Sequence, residues 1–386
     1  MKKNIKYLAV IIVTAFLMFN INNKNKETDE NRGIFFSYSE FFKYFHKKSS
    51  NEIRKEIENI IKNVKDNYLN NIYVQVRPFS DSIYNSDIFP FSHTISGTQG
   101  EKIDLDVLEY FINIAHKENI KIHAWINPYR ISNDTDTSFI SKDNPAYKWL
   151  NTNNVKVIEN KGIYYNPASE EVRNLIVDGV IEIIKNYDID GILFDDYFYP
   201  DDSIDLEDYK NFQSTISIKD FRLSQVNKLI SSVYKAIKNI NKNVLFGISP
   251  DGNIENNYDT HYADVKKWLS EDGYIDYIMP QLYYGFLNEN KPFIKTINEW
   301  NNLIKNDVKL IPALALYKSG NVDKYAGNGS NEWIENSNII KNEIQVSRKI
   351  SNYIGFSLYR YYYLIEPGKN TSLTNEILNY RSLFEN

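Results

Sequence analysis

Short apolar runs recur along the chain, each rich in β-branched or aromatic residues and each closed by turn residues. They are Gly33–Tyr38, Asn71–Arg77, Ile120–Ile126, Gly191–Asp195, Asn243–Ser249, Ile275–Leu282, Val308–Leu316 and Tyr353–Tyr359, eight in all. Most are apolar almost throughout rather than alternating. That predicts strands covered on both faces, as in a parallel sheet.

The segments between these runs carry helical spacing. Ile53, Ile57, Ile60, Ile61 and Val64 form one stripe over 52–67, and Leu105, Leu108, Phe111, Ile112 and Ala115 form another over 104–118. Asn166-Pro167 predicts an N-cap with proline at the first helical position, opening a helix over 168–187. A fourth helix is predicted over 220–239, and later ones over 261–270, 292–305, 331–349 and 372–384.

Strands alternating with helices over some 350 residues predict an α/β fold, a (β/α)8 TIM barrel forming a single domain over 32–386. A doubly wound open sheet is the alternative. It is disfavoured because no GxGxxG phosphate loop follows any early strand and the chain holds only 15 glycines. The longest interval between strands runs from Ile120 to Gly191 and predicts long loops at the C-terminal face, where such insertions build the mouth of a barrel.

Residues 1–31 do not fit this beat. Lys2, Lys3 and Lys6 precede an uncharged run of about 13 residues from Tyr7 to Phe19, and a polar stretch follows. This is the shape of a secretory signal, shorter than the roughly 20 residues that span a bilayer as a helix. A cleaved signal peptide and a retained anchor both fit. The expected location is therefore extracytoplasmic, secreted or anchored, with membrane contact only through this segment.

Composition narrows the functional classes. There is no cysteine, which excludes a disulfide framework, a thiolate metal site, a cysteine nucleophile and a lipid-modified cysteine. Lys and Arg number 45 against 50 Asp and Glu, a net charge of −5, which lacks the basic footprint of a nucleic-acid binder. The five histidines show no HxxxH spacing, and no GxSxG elbow supports a serine nucleophile. No metal and no cofactor are expected. Tyrosine is abundant, 30 residues against 21 Phe and 5 Trp.

In a barrel the chemistry sits where the strands end. Those ends supply Arg77 and Asp81, then Asn127, Tyr129 and Arg130, then Asp195, Asp196 and Tyr197, then Asp251, then Gln281 and Tyr283, then Lys318. Carboxylates, amides, cations and tyrosines together suit a sugar, whose flat faces stack on rings and whose hydroxyls need donors and acceptors. Glycoside hydrolysis calls for a pair of carboxyl groups, and Asp195 and Asp196 are the leading catalytic candidates. If Leu193 fills the barrel, strand alternation turns Asp195 and Tyr197 inward with it and Asp196 toward the surrounding layer, where it would orient its neighbours. Asp251, Asp81, Glu332 and Glu366 are candidates for the partner carboxylate.

The stretches NIYVQVRPFSDSIY, HAWINPYR, DGILFDDYFYP, GISPDGN and YIDYIMPQLYYGF resemble the glycosyl hydrolase-like family 10 group of bacterial envelope barrels, in order and spacing from about Arg32 to Tyr363. The resemblance implies a barrel that hydrolyses cell-wall glycan, with motif positions on Arg77, Asn127, Tyr129, Arg130, Asp195, Asp196, Tyr197, Gln281 and Tyr283, and with Arg222 on a family arginine. Leu193 and Asp251 depart from the family pattern. DGILFDDYFYP is also similar, more distantly, to the DGxDxDxEYP run of chitinase-type barrels. There an Asp orients the N-acetyl group and a Glu protonates the leaving oxygen, and here Tyr197 takes the place of that Glu.

The sequence thus predicts an exported, monomeric glycoside hydrolase acting on peptidoglycan glycan, possessing N-acetyl substrate assistance as one available route, with a polysaccharide as its partner. A non-catalytic glycan-binding barrel and a hydrolase of another polysaccharide are the alternatives.

Overall fold

The computed structural model describes residues 30–385 apart from 214. The N-terminal signal or anchor expected over 1–31 lies almost wholly outside them. Among the described residues no helix is long and apolar enough to cross a membrane.

All eight predicted strands form, in the predicted order. They are β1 (Asn31–Phe36), β2 (Asn71–Arg77), β3 (Lys121–Ile126), β7 (Gly191–Phe194), β8 (Leu245–Ile248), β9 (Tyr277–Ile278), the pair β10 (Lys309–Leu310) and β11 (Ala313–Leu314), and β12 (Gly355–Leu358). Each pairs in parallel with its neighbour, and β12 pairs with β1. The seventh strand, expected as one run, is interrupted at Ile311-Pro312. It still closes the barrel. On one side Ile311 N–H donates to Ile278 O and Ala313 N–H to Pro280 O; on the other, Ser357 N–H donates to Pro312 O and Tyr359 N–H to Leu314 O. Proline has no N–H to give, but its carbonyl remains a ladder acceptor.

The long insertion holds more than loop. β4 (Arg130–Ser132), β5 (Val155–Ile158) and β6 (Gly162–Tyr165) form a small antiparallel sheet that sequence reading left unassigned. Its strands are three or four residues long, too short to show a period.

Two apolar layers hold the barrel together. The outer layer lies between strands and helices. In the helix Ser50–Asp66, Ser49 caps the start and exchanges hydrogen bonds with Glu52, while the Ile53–Val64 stripe is fully buried. The helix predicted to start at Pro167 starts at Glu170 instead, because Ser169 accepts the Val172 N–H, whereas Asn166 is held by Asn153 O and Asp208. The helix expected over 331–349 is broken into Glu332–Glu335 and Ile339–Ser347.

The inner layer fills the barrel with Phe35, Tyr73, Trp125, Leu193, Tyr277, Met279, Ile311 and Ala313. Rings of this size fit because glycine stands beside them. A Cβ on Gly33 would come within 2.5 Å of the Tyr73 ring, one on Gly191 within 2.3 Å of His123, and one on Gly247 within 2.2 Å of Tyr277. His123 is sealed in this layer with Nδ1 3.1 Å from the Tyr277 hydroxyl, and burial pulls its pKa down to about 4, so it is neutral packing.

The tight fit generates a prediction. Gly247→Ala forces an already packed core apart and lowers unfolding stability by about 1–3 kcal/mol or more. Urea unfolding followed by fluorescence checks this; an unchanged midpoint contradicts the fit.

Candidate active site

Asp195 and Asp196 emerge at the end of β7. Leu193 fills the barrel, and Asp195 continues inward with it as alternation then requires. Its Oδ2 accepts a 3.0 Å hydrogen bond from the indole N–H of Trp125 on neighbouring β3, and only 3% of the residue is exposed. Burial raises the Asp195 pKa to about 7, helped by the adjacent Asp196 charge and opposed by Arg130 and the Trp125 donor.

Asp196 does not face the helical layer. The strand has ended at Phe194, so alternation no longer governs the side chain, and its carboxyl turns into the mouth to accept from Gln281 Nε2 at 3.0 Å. Burial raises its pKa as well.

Asp196 lines a cavity of about 400 Å³ together with Asp251, Gln281, Tyr283 and Lys318. Gln281 also donates to Ser249 O, which fixes its amide between the fourth and fifth strands. Asp251 differs from the other two carboxylates. Burial pushes its pKa up, but His261, 3.8 Å away, and hydrogen bonds from the Asn253 N–H at 2.7 Å and from Asn256 outweigh burial and hold it below the usual range. His261 is correspondingly raised against its own burial by Asp251 and Asp196. Lys318 donates to Tyr283 O and pairs with Asp323 at 2.6 Å. The rings of Tyr283, Tyr317 and Tyr359 pack edge to face or tilted at 5.6–6.0 Å and wall this side.

Across the mouth, Asn127 accepts the Arg130 N–H and shapes the turn that delivers Arg130. The guanidinium lies over the rings of Tyr38, Phe79 and Tyr197, and Tyr197 is half exposed. Asp81 is fully buried at the rim with one oxygen 2.8 Å from His93 Nδ1.

Two residues with expected substrate contacts are placed elsewhere. Arg77 follows a bulge at which β2 slips against β3, so that Arg77 pairs with Ile126. The slip turns it onto the outer face, where its guanidinium lies 4.2 Å from the Phe89 ring centre and against Gly179 of the helix Glu170–Asn186. Tyr129 is wholly buried in the core, its hydroxyl without a hydrogen-bond partner among the described residues. Tyr199 and Tyr361 also pack inside, so the tyrosines at strand ends divide between cleft and core. Of the candidate partner carboxylates, Glu332 is occupied by the Phe286 and Leu287 N–H groups, and Glu366 by Tyr44 and Lys43. Arg222 anchors the loop behind Asp196 through Asp205, Asp202 and Tyr262.

Trp125 and His261 are residues that sequence reading did not place at the site. Trp125 carried a usable signal, since it lies two residues from His123 on the same strand face and two before Asn127.

Residues 30–328 match the Glycosyl hydrolase-like 10 family. The chain belongs to that family. It is 33% identical over 350 residues to glycosyl hydrolase YngK of Bacillus subtilis (strain 168), covering 83% of this chain and 67% of that protein. It is 29% identical over 334 residues to glycosyl hydrolase DigH of Escherichia coli (strain K12), covering 78% and 73%. Among solved structures, the glycoside hydrolase domain of PgaB (BpsB) from Bordetella bronchiseptica superposes with TM-score 0.54 at 13% identity, covering 86% of this chain and 94% of that one. Alpha-L-fucosidase isoenzyme 2 from Paenibacillus thiaminolyticus superposes with TM-score 0.55 at 12% identity; the match spans 92% of this chain and about half, 49%, of the fucosidase. These structural likenesses establish the barrel fold of this family member.

The Trp125 contact can be checked directly. Trp125→Phe removes a donor to the ionised form of Asp195, so its titration moves further up from about 7. Asp196→Asn removes a neighbouring negative charge and moves it down. Carboxyl NMR titration of labelled aspartate reads both shifts; movement in the opposite sense contradicts the assignment.

Proposed function

We propose that this chain is an exported glycoside hydrolase acting on N-acetylated bacterial cell-wall glycan, as a monomer. The observation that carries the reading is the division among three carboxyl groups at one mouth. Asp195 and Asp196 are pushed up, while Asp251 is held down. Environments that drive carboxyls apart in this way separate an acid from a base.

In this reading the adjacent Asp195 and Asp196 share a proton and titrate as a unit. Asp196 faces the cavity and delivers the proton to the leaving glycosidic oxygen. Asp195, braced by the Trp125 indole, returns negative charge beside the developing oxocarbenium ion or orients an acetamido group. Asp251 stays ionised across the cavity. Gln281, Tyr283, Tyr197 and Arg130 supply hydrogen bonds and stacking to sugar rings. The peptidoglycan assignment is supported by the motif resemblance, and export by the basic, then apolar, residues 2–19. A glycan-binding barrel without turnover is the second reading, favoured by Tyr197 standing where chitinase-type barrels carry their acid.

Purified glycan strands test both. Asp195→Asn lowers reducing-end release by about 10²–10⁴-fold without loss of the folded state by circular dichroism. Turnover equal to wild type in that variant sinks the catalytic assignment. Retention of strands with no release at any pH favours the binding protein. The pH profile has a defined sign. The Asp195–Asp196 pair, both raised, keeps its shared proton at lower pH and loses it as pH rises, so turnover falls on the alkaline side of the profile.

A further inference from the structure

The two ends of the cleft answer their charges differently. At the end lined by Asp196 and Asp251, the cations are already matched: Lys318 with Asp323, Lys291 with Glu255 and His261 beside Asp251. At the other end stands Arg130, which is 8% exposed. Its Nε donates to Pro78 O at 3.1 Å. Among the described residues its Nη groups make no hydrogen bond and it forms no ion pair. The nearby Asp195 is turned to Trp125 instead.

The aromatic rings account for the faces of this guanidinium but not for its edge. Tyr38, Phe79 and Tyr197 lie 5.6, 5.0 and 5.3 Å from its carbon. Such rings attract a cation through their π faces and hold its plane. The in-plane Nη groups are left without acceptors among the described residues and are free to bond a ligand. A guanidinium edge presented in this way matches a carboxylate with two parallel hydrogen bonds. On the same Phe79 ring, 5.5 Å away, sits His93, backed by the fully buried Asp81. Burial opposes protonation of His93, but the Asp81 carboxylate overrides it and raises the pKa.

We propose that Arg130, with His93 packed against the same Phe79 ring, forms a subsite for a carboxylate carried by the glycan. The substrate is then an acidic polysaccharide, laid in one direction along the cleft because the Asp196–Asp251 end repels the same group. This rests on the glycan-hydrolase reading above and adds the chemical class of the sugar.

The carboxylate could come from an ether-linked lactyl group or from a uronic acid, so the test uses both. The probes are muramic-acid-containing glycan strands and oligogalacturonate, each beside its counterpart with the carboxyls reduced to alcohols. Binding is measured by isothermal titration on the full chain carrying Asp195→Asn, and cleavage of the same four probes on the unaltered protein. At least one carboxylated probe binds about tenfold or more tightly than its alcohol. Arg130→Gln brings that ratio to about one, and Arg130→Lys keeps part of it. A preference confined to one pair identifies the source of the carboxylate. Equal binding within both pairs overturns the proposal, as does a ratio that survives Arg130→Gln or a lack of binding to all four probes. Should Arg130→Gln fail to fold, the ratio in the Arg130 protein and in Arg130→Lys decides. Equal cleavage of carboxylated and reduced strands overturns the subsite but leaves the hydrolase standing. Discrimination in binding without cleavage of any probe does the reverse.

Discussion

Three of the rings inside the barrel, those of Tyr73, His123 and Tyr277, are accommodated because a neighbouring strand supplies glycine. Tyr73, His123 and Tyr277 occupy space that a Cβ on Gly33, Gly191 or Gly247 would claim. This size matching constrains the register of adjacent strands, since a one-residue slip sends every side chain to the other face. Register in turn decides what stands at the strand ends. With Gly191 beside His123, Leu193 lies beside Trp125, and the next inward position on that strand is Asp195. The hydrogen bond from Trp125 to Asp195 therefore follows from packing several residues deeper.

Desolvation acts on every carboxyl at the mouth, and the difference between them lies in what answers it. Asp195 receives the Trp125 indole and a long Tyr197 N–H, with Arg130 nearby, but lies beside a second negative charge, and burial wins. Asp251 receives a backbone N–H and an amide, with His261 at 3.8 Å, and these favour the ionised form over burial. Two aspartates with the same intrinsic acidity are thus separated by the number and charge of their donors. The same logic makes the edge of Arg130 notable, because rings satisfy its faces while its Nη groups stay open.

The eight strands, their order and most of the helices were legible in the sequence because the signals are local and periodic. A run such as Ile122–Ile126 is buried on both faces, and a stripe such as Ile53–Val64 repeats at the helical period. Asp195 was legible for the same reason: alternation holds from Leu193 and survives one residue past the strand. The small sheet of β4, β5 and β6 was not legible, since three or four residues carry no period. The split of the seventh strand at Pro312 and the break at Asn336–Asn338 lie below the same threshold.

What the chain by itself determined is the barrel, the family and the set of polar residues at the strand ends. Tertiary structure decided which of those residues meet. A bulge in β2, set by pairing with β3, carried Arg77 to the outer face. Core packing took Tyr129, and the end of β7 released Asp196 from alternation into the cavity beside Asp251 and Gln281. Whether Arg130 has a partner also depends on chains of contact from distant strands. Local sequence sets the period of a strand; the direction of a side chain at its end is set by neighbours far away along the chain.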